Sequence, residues 1–142
     1  MRTFCRFPAL AFLVLFVASA CLRAEQPNII FLITDDVAWN DLGCYGNEVI
    51  KTPNLDRMAA EGRVFDSAML TISSCSPSRC SIVTGRYPHN TGAPELHTTL
   101  PTDQFAFPEG LRKAGYYTVL SGKNHMGDVK RAFDLISNGK GP

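Results

Sequence analysis

Apolar and polar positions along this 142-residue chain fall into blocks of different period, and the periods predict its elements. The run Ile29-Ile-Phe-Leu-Ile33 is apolar without alternation, the pattern of a strand covered on both faces in a parallel sheet. Tyr116-Tyr-Thr-Val-Leu120 reads as another buried strand, and Arg63-Val-Phe-Asp-Ser-Ala-Met69 as a third. Elsewhere the spacing is helical. Thr52 caps and Pro53 opens a helix that Gly62 closes, with Leu55, Met58 and Ala59 on its core face. A second helix is expected from about Ser76 to Gly85, because Pro77 suits a first turn, where its missing N–H costs nothing. A short helix over residues 108–114 stops at Gly115.

The first residues read as a targeting segment. Arg2 and Arg6 give a positive start, residues 7–17 are almost wholly apolar, and Ala18-Ser19-Ala20 offers a small-residue cleavage site. The run is too short to span a bilayer comfortably. Residues 1–24 are therefore predicted to be a signal peptide, cut after Ala20 or Ala24, with export to the periplasm or the extracellular space and no transmembrane span. Lipidation at Cys21 is the alternative, although Ala18 stands where a lipoprotein signal carries leucine. Cleavage after Ala24 removes Arg2, Arg6 and Arg23, leaving 11 of the 14 basic residues against 13 acidic ones. That balance, with no basic run, excludes a nucleic-acid or membrane-surface binder. The five cysteines reduce to Cys44, Cys75 and Cys80, which make no disulfide framework. Pairing of Cys44 with Cys80 and burial of both stay open as expectations.

Candidate chemistry clusters at the element ends. Asp35 and Asp36 follow the predicted strand 29–33, at the carboxyl end where open α/β sheets bind ligands. Two adjacent carboxylates do not both stay ionised cheaply without a cation, and no His/Cys ligand set surrounds them, so calcium or magnesium is expected rather than zinc. Cys75 stands at a helix mouth, where free N–H groups and the helix dipole favour an anion, and Arg79 lies one turn on along the same face. Gly122-Lys123-Asn124-His125-Met126-Gly127 ends the predicted strand 116–120. In extended chain Lys123 and His125 point opposite ways, and a turn at Gly122 relaxes that. His89 is expected as an exposed loop histidine. A rival reading uses Cys80 and Arg86, which enclose five residues, the spacing of the cysteine phosphatases. Such phosphate-cradling loops need glycines, and Ser-Ile-Val-Thr-Gly has a single one, at its end.

Together these motifs resemble the type I, formylglycine-dependent sulfatases. The resemblance rests on Cys75-x-Pro77-x-Arg79 with Thr84-Gly85-Arg86 behind it, on Thr34-Asp35-Asp36 with Asp41-Leu-Gly-Cys-Tyr-Gly46, and on Gly122-Lys123-x-His125-x-Gly127. It covers most of residues 28–127 and implies an α/β sandwich of the alkaline phosphatase type with a central, largely parallel sheet. Residues 25–142 are then expected to be only the N-terminal portion of such a catalytic domain. The resemblance further implies that a formylglycine-generating enzyme oxidises Cys75, and that Asp35, Asp36 and the formylglycine at 75 ligate calcium, with magnesium possible. Arg79 and Lys123 would stabilise sulfate charge, and His125 would bond the formylglycine hydroxyl. In the implied reaction one hydroxyl of the hydrated aldehyde attacks sulfur and the alcohol or amine leaves. The second hydroxyl, assisted by His125, then collapses to the aldehyde and expels sulfate, a cycle that an unmodified cysteine cannot complete.

Ser73-Ser74-Cys75, Glu95-Leu96-His97 and Gly122-Lys123-Asn124-His125 look most like the heparan N-sulfatase (sulfamidase) branch. N-sulfated or otherwise sulfated sugars are the substrates this implies, with Lys123 and His97 as substrate contacts. The family's later Asp-Asn or Asp-Gln pair, a further histidine and a basic residue find no counterpart here. The competing expectation is an inactive fragment or anion-binding remnant.

Overall fold

The computed structural model describes residues 26–137; the predicted leader and Cys21 lie outside the described residues. The chain divides into two units, residues 1–34 and 35–142. In the first, residues 26–33 run without regular secondary structure. The strand predicted at 29–33 is not formed, and Ile30 and Leu32 are 81% and 73% exposed. A parallel strand draws every ladder bond from a neighbour and its burial from helices on both faces. Among the described residues the ladder joins only Val119–Ser121 and Leu135–Ser137.

The second unit begins with short 3-10 turns at Trp39–Asp41 and Gly43–Tyr45. Helix α1, Pro53–Glu61, opens on its proline as predicted, but Thr52 does not cap it through its side chain. Instead Thr52 Oγ1 accepts the Gly43 N–H at 2.8 Å and donates to Asp56 at 2.9 Å, tying the turn to the helix. A Cβ at Gly43 would lie 2.6 Å from an Asp56 oxygen, so a larger residue there would displace the Asp56 carboxylate from this arrangement. The expected core face is only partly covered, and Met58 remains 58% exposed. Residues 63–69 form no strand, and Phe65 and Met69 are exposed, for the same want of a partner.

Helix α2, Cys75–Thr84, starts one residue before the predicted point and ends at Gly85 in the left-handed region, φ 66°. It is buried along most of its length, from Ser76 to Ser81 and at Val83. The core gathers around it from Cys80, Val83, Ala93, Leu100, Ala106, Met126, Val129 and Ala132. Cys80 is wholly buried and free, and Cys44 and Cys75 are free and half-buried, so Cys44 and Cys80 are not paired. Helix α3, Phe107–Lys113, leads to strand β1, Val119–Ser121, which pairs in parallel with β2, Leu135–Ser137. The predicted strand 116–120 is thus shifted and shortened, and Tyr117 and Val119 are exposed. At its start the Thr118 N–H donates to Asp134 Oδ2 at 2.8 Å, and Arg112 pairs with the other oxygen at 2.9 Å. The Thr118 N–H, more than Arg112, holds the Asp134 carboxyl below the usual range.

Candidate active site

Three segments of the second unit converge on one carboxylate. The first supplies Asp35, at the start of the unit. Helix α2 supplies Arg79, whose side chain is only 11% exposed and therefore held in one place. The loop after β1 supplies Lys123, because Gly122 takes φ 91° and turns the chain out of the strand. Arg79 Nη2 lies 3.3 Å from Asp35 Oδ1, and Lys123 Nζ donates to Asp35 Oδ2 at 2.6 Å. Arg79 Nη1 donates to the Lys123 carbonyl at 2.9 Å, so the guanidinium fork joins carboxylate and loop.

Electrostatics follow from this pairing. The hydrogen bond from Lys123, aided by Arg79, holds the Asp35 carboxyl below the usual carboxylate range against the opposing pull of desolvation. Asp35 in turn pushes Lys123 up, and Cys75 adds a smaller push in the same direction. Cys75 thus sits within electrostatic reach of Lys123, in the first position of α2 after Ser74. The mouth of α2 carries the nucleophile candidate within the field of a lysine that keeps its charge.

His125 stands two residues beyond Lys123 and meets His97. Its Nε2 is 2.8 Å from His97 Nδ1, and the ring centroids are 4.8 Å apart. Desolvation, with repulsion from His97, Lys123 and Arg79, lowers the His125 value below that of ordinary imidazole. Among the described residues the non-glycine residues with positive φ are Asp36 at 55°, His97 at 65° and His125 at 55°. All three are candidate site residues. Left-handed backbone is unfavourable for a side-chain-bearing residue and persists where the surroundings impose it, as functional sites do. Gly127 closes the motif at φ 81°, and a Cβ there would lie 2.2 Å from Thr99 Cγ2. The contact between His97 and His125 spans 28 positions and has no local signature, so sequence reasoning named both residues without seeing that they touch.

Asp35 and Asp36 are hard oxygen donors and suit a calcium or magnesium ion by donor type, but Asp35 is already neutralised by Arg79 and Lys123, which a cation would have to displace. As a complete shell the pair falls short. Among the described residues no cluster of three or more His, Cys, Asp or Glu side chains is placed to hold a metal.

The rival phosphatase geometry is not present. Cys80 lies inside a helix with its thiol buried, and desolvation raises its value, opposing a thiolate. Arg86 points elsewhere, donating to Gln104 at 3.1 Å. His89 is exposed, as expected, and stacks on Tyr87. A groove of 840 Å³ bordered by Gly43, Cys44, Asn47 and Asp56 contains none of the candidate residues.

Comparison with known proteins identifies the family. The family described as Sulfatase matches residues 27–134. The N-acetylglucosamine-6-O-sulfatase of Bacteroides thetaiotaomicron is 41% identical over 112 residues, covering 79% of this chain and 20% of its own length. The N-acetylgalactosamine-6-sulfatase of Rattus norvegicus is 41% identical over 146 residues, covering 89% of this chain and 27% of its own. The chain therefore spans about a quarter of the length of these relatives. A solved structure of a protein in complex with its substrate D-glucosamine-2-N,6-O-disulfate superposes with a TM-score of 0.76 at 40% identity, over 79% of this chain and 23% of that one. The fold is accordingly the α/β type of alkaline phosphatase, of which the small parallel sheet and its helices are a part. Asp35, Cys75, Arg79, Lys123 and His125 all fall within the matched stretch, and the chain belongs to the sulfatase family.

Proposed function

We propose that the protein of which these residues form the reactive part hydrolyses sulfate on amino sugars, as an O-sulfate ester or an N-sulfate, through a formylglycine made from Cys75. One observation carries the reading. Cys75 opens α2 within electrostatic reach of Lys123 and one helical turn before Arg79, and those two cations share a single carboxylate. Two cations against one carboxylate suit a tetrahedral oxyanion such as a singly charged sulfate group better than a neutral ligand.

The named relatives support a sugar substrate, since they act on the 6-sulfates of N-acetylglucosamine and N-acetylgalactosamine. The sulfamidase branch adds the N-sulfate alternative on sequence resemblance alone. The substrate in the neighbouring structure carries a sulfate at each of these positions. Residues 1–24 act as a leader removed on export to the periplasm or beyond, and residues 25–142 correspond to the N-terminal part of the catalytic domain. No helix among the described residues is long and apolar enough to cross a membrane.

The chain's own groups divide the work. Lys123 and Arg79 bind and orient sulfate oxygens and offset the charge that builds on them. His97 borders the substrate side. His125, kept neutral by its surroundings, takes and returns a hydroxyl proton at position 75. Asp35 and Asp36 would hold the divalent cation, calcium first and magnesium second. The cation would supply charge neutralisation at sulfate, and the formylglycine a hydrated aldehyde as nucleophile.

The test is modification of the residue itself. Co-expression with a formylglycine-generating enzyme followed by peptide mass spectrometry is expected to show aldehyde at 75 and intact thiol at 80. Cys75→Ala abolishes the signal. Unmodified Cys75 under conditions that convert a control sulfatase, or aldehyde at 80, would overturn the reading.

A further inference from the structure

We infer that His97 is a positioning residue for His125, fixing its ring and tautomer through the Nε2 to Nδ1 contact, rather than a group that only lines the substrate side. The inference rests on the reading of His125 as the proton-transfer group. Its basis is the 2.8 Å separation between His125 Nε2 and His97 Nδ1. A second observation sets the direction. His125 Nδ1 is buried with no hydrogen-bond partner. A buried orphan N–H is rarer and costlier than a buried bare acceptor, so the proton of neutral His125 belongs on Nε2. That N–H donates to His97 Nδ1, and the proton of His97 then sits on its own Nε2. Nδ1 of His125 is left as a bare, shielded acceptor, the form a proton-taking imidazole needs. Both residues hold left-handed backbone, φ 65° at His97 and 55° at His125, so the pair is imposed by the loops that carry it.

The substitutions separate ring from backbone. Glycine at 97 keeps the positive φ without strain and removes the acceptor. Asparagine also tolerates that φ and places a carbonyl oxygen near the position of Nδ1. Long-range proton–nitrogen correlation spectra of the folded 142-residue chain, with the imidazoles neutral, read the tautomer of His125 directly. Wild type is expected to show Nε2–H alone. His97→Gly is expected to average the two ring nitrogens, and His97→Asn to restore the single tautomer, with the Met126 and Val129 amides reporting an intact core. An Nδ1–H tautomer in wild type overturns the inference, as does a His125 spectrum unmoved in His97→Gly. The readout needs no turnover. A failed dyad leaves the formylglycine test standing, and a failed formylglycine test leaves the dyad measurable.

Discussion

Arg79 is the residue on which the site depends, because its one planar group bonds both the Asp35 carboxylate and the backbone of the Lys123 loop. It bonds the Asp35 carboxylate and the Lys123 carbonyl from a helix that is buried along most of its length. Lysine cannot do this, since a single ammonium has no fork to span both. Arg79→Ala is expected to lower stability by about 1–3 kcal/mol, the usual loss when a bond to a charged partner is removed. Part of the loss is pH-dependent. Asp35 is held below the usual carboxylate range, so its share is fully present above the unfolded value and disappears as pH falls through the lowered folded value. The gap between the urea midpoints of wild type and variant should therefore narrow in acid. A gap that stays constant through that titration would show that Arg79 acts through packing and its bond to the Lys123 carbonyl, not through Asp35. At this scale the sequence was highly readable. Spacing relates Cys75 to Arg79, which α2 places within one turn of helix, whereas Asp35 and Lys123 stand out chiefly through the family resemblance of their motifs. What spacing could not show was that Lys123 and Arg79 would both turn to Asp35, 88 and 44 positions away.

Among the elements, the loop between β1 and β2 does most to set the geometry, and Gly127 is its tightest point. Alanine there would combine φ 81° with a Cβ 2.2 Å from Thr99. The left-handed conformation alone costs about 1–2 kcal/mol, and the contact adds to it. Gly127→Ala is expected to shift the denaturation midpoint accordingly, and Thr99→Gly in the same chain to recover the contact share but not the backbone share. Full recovery would mean that the backbone at 127 moves freely. The elements also show why helices were more legible than strands. Pro53, Gly62, Pro77 and Gly85 mark helix ends through local chemistry, and the observed helices α1 and α2 lie within a residue or two of those marks. A strand has no such autonomy. Residues 29–33 and 63–69 carry strand composition, but their ladder bonds must come from partners elsewhere, and among the described residues only β1 and β2 supply each other. β2 itself went unread for the same reason, since three residues, Leu135–Ser137, hold no period to detect.

At the scale of the whole molecule the question is whether 142 residues suffice for turnover. A calcium ion takes about six to eight oxygens, and its affinity follows the number and rigidity of the charged ligands. Asp35 and Asp36 are two side chains, Asp35 is already paired to two cations, and no third metal-ligating side chain joins them among the described residues. Binding calcium here means drawing Asp35 away from Lys123 and filling most of the shell with water. Apolar surface points the same way, for Ile30, Leu32, Phe65, Met69 and Leu70 stand exposed where a larger sheet would cover them. The relatives named above are about four times longer, which gives them room for further ligands and for that cover. The isolated chain, even with formylglycine at 75, is therefore expected to bind calcium no tighter than the weak, extracellular class of sites, about 10⁻⁴–10⁻³ M. It is expected to release no sulfate above background from N-sulfoglucosamine or glucosamine 6-sulfate. Titration calorimetry measures the first, and ion chromatography of sulfate with and without calcium measures the second. Micromolar calcium binding together with calcium-dependent release would show that two aspartates and water make a working site, and that the remaining length of the relatives serves substrate choice instead.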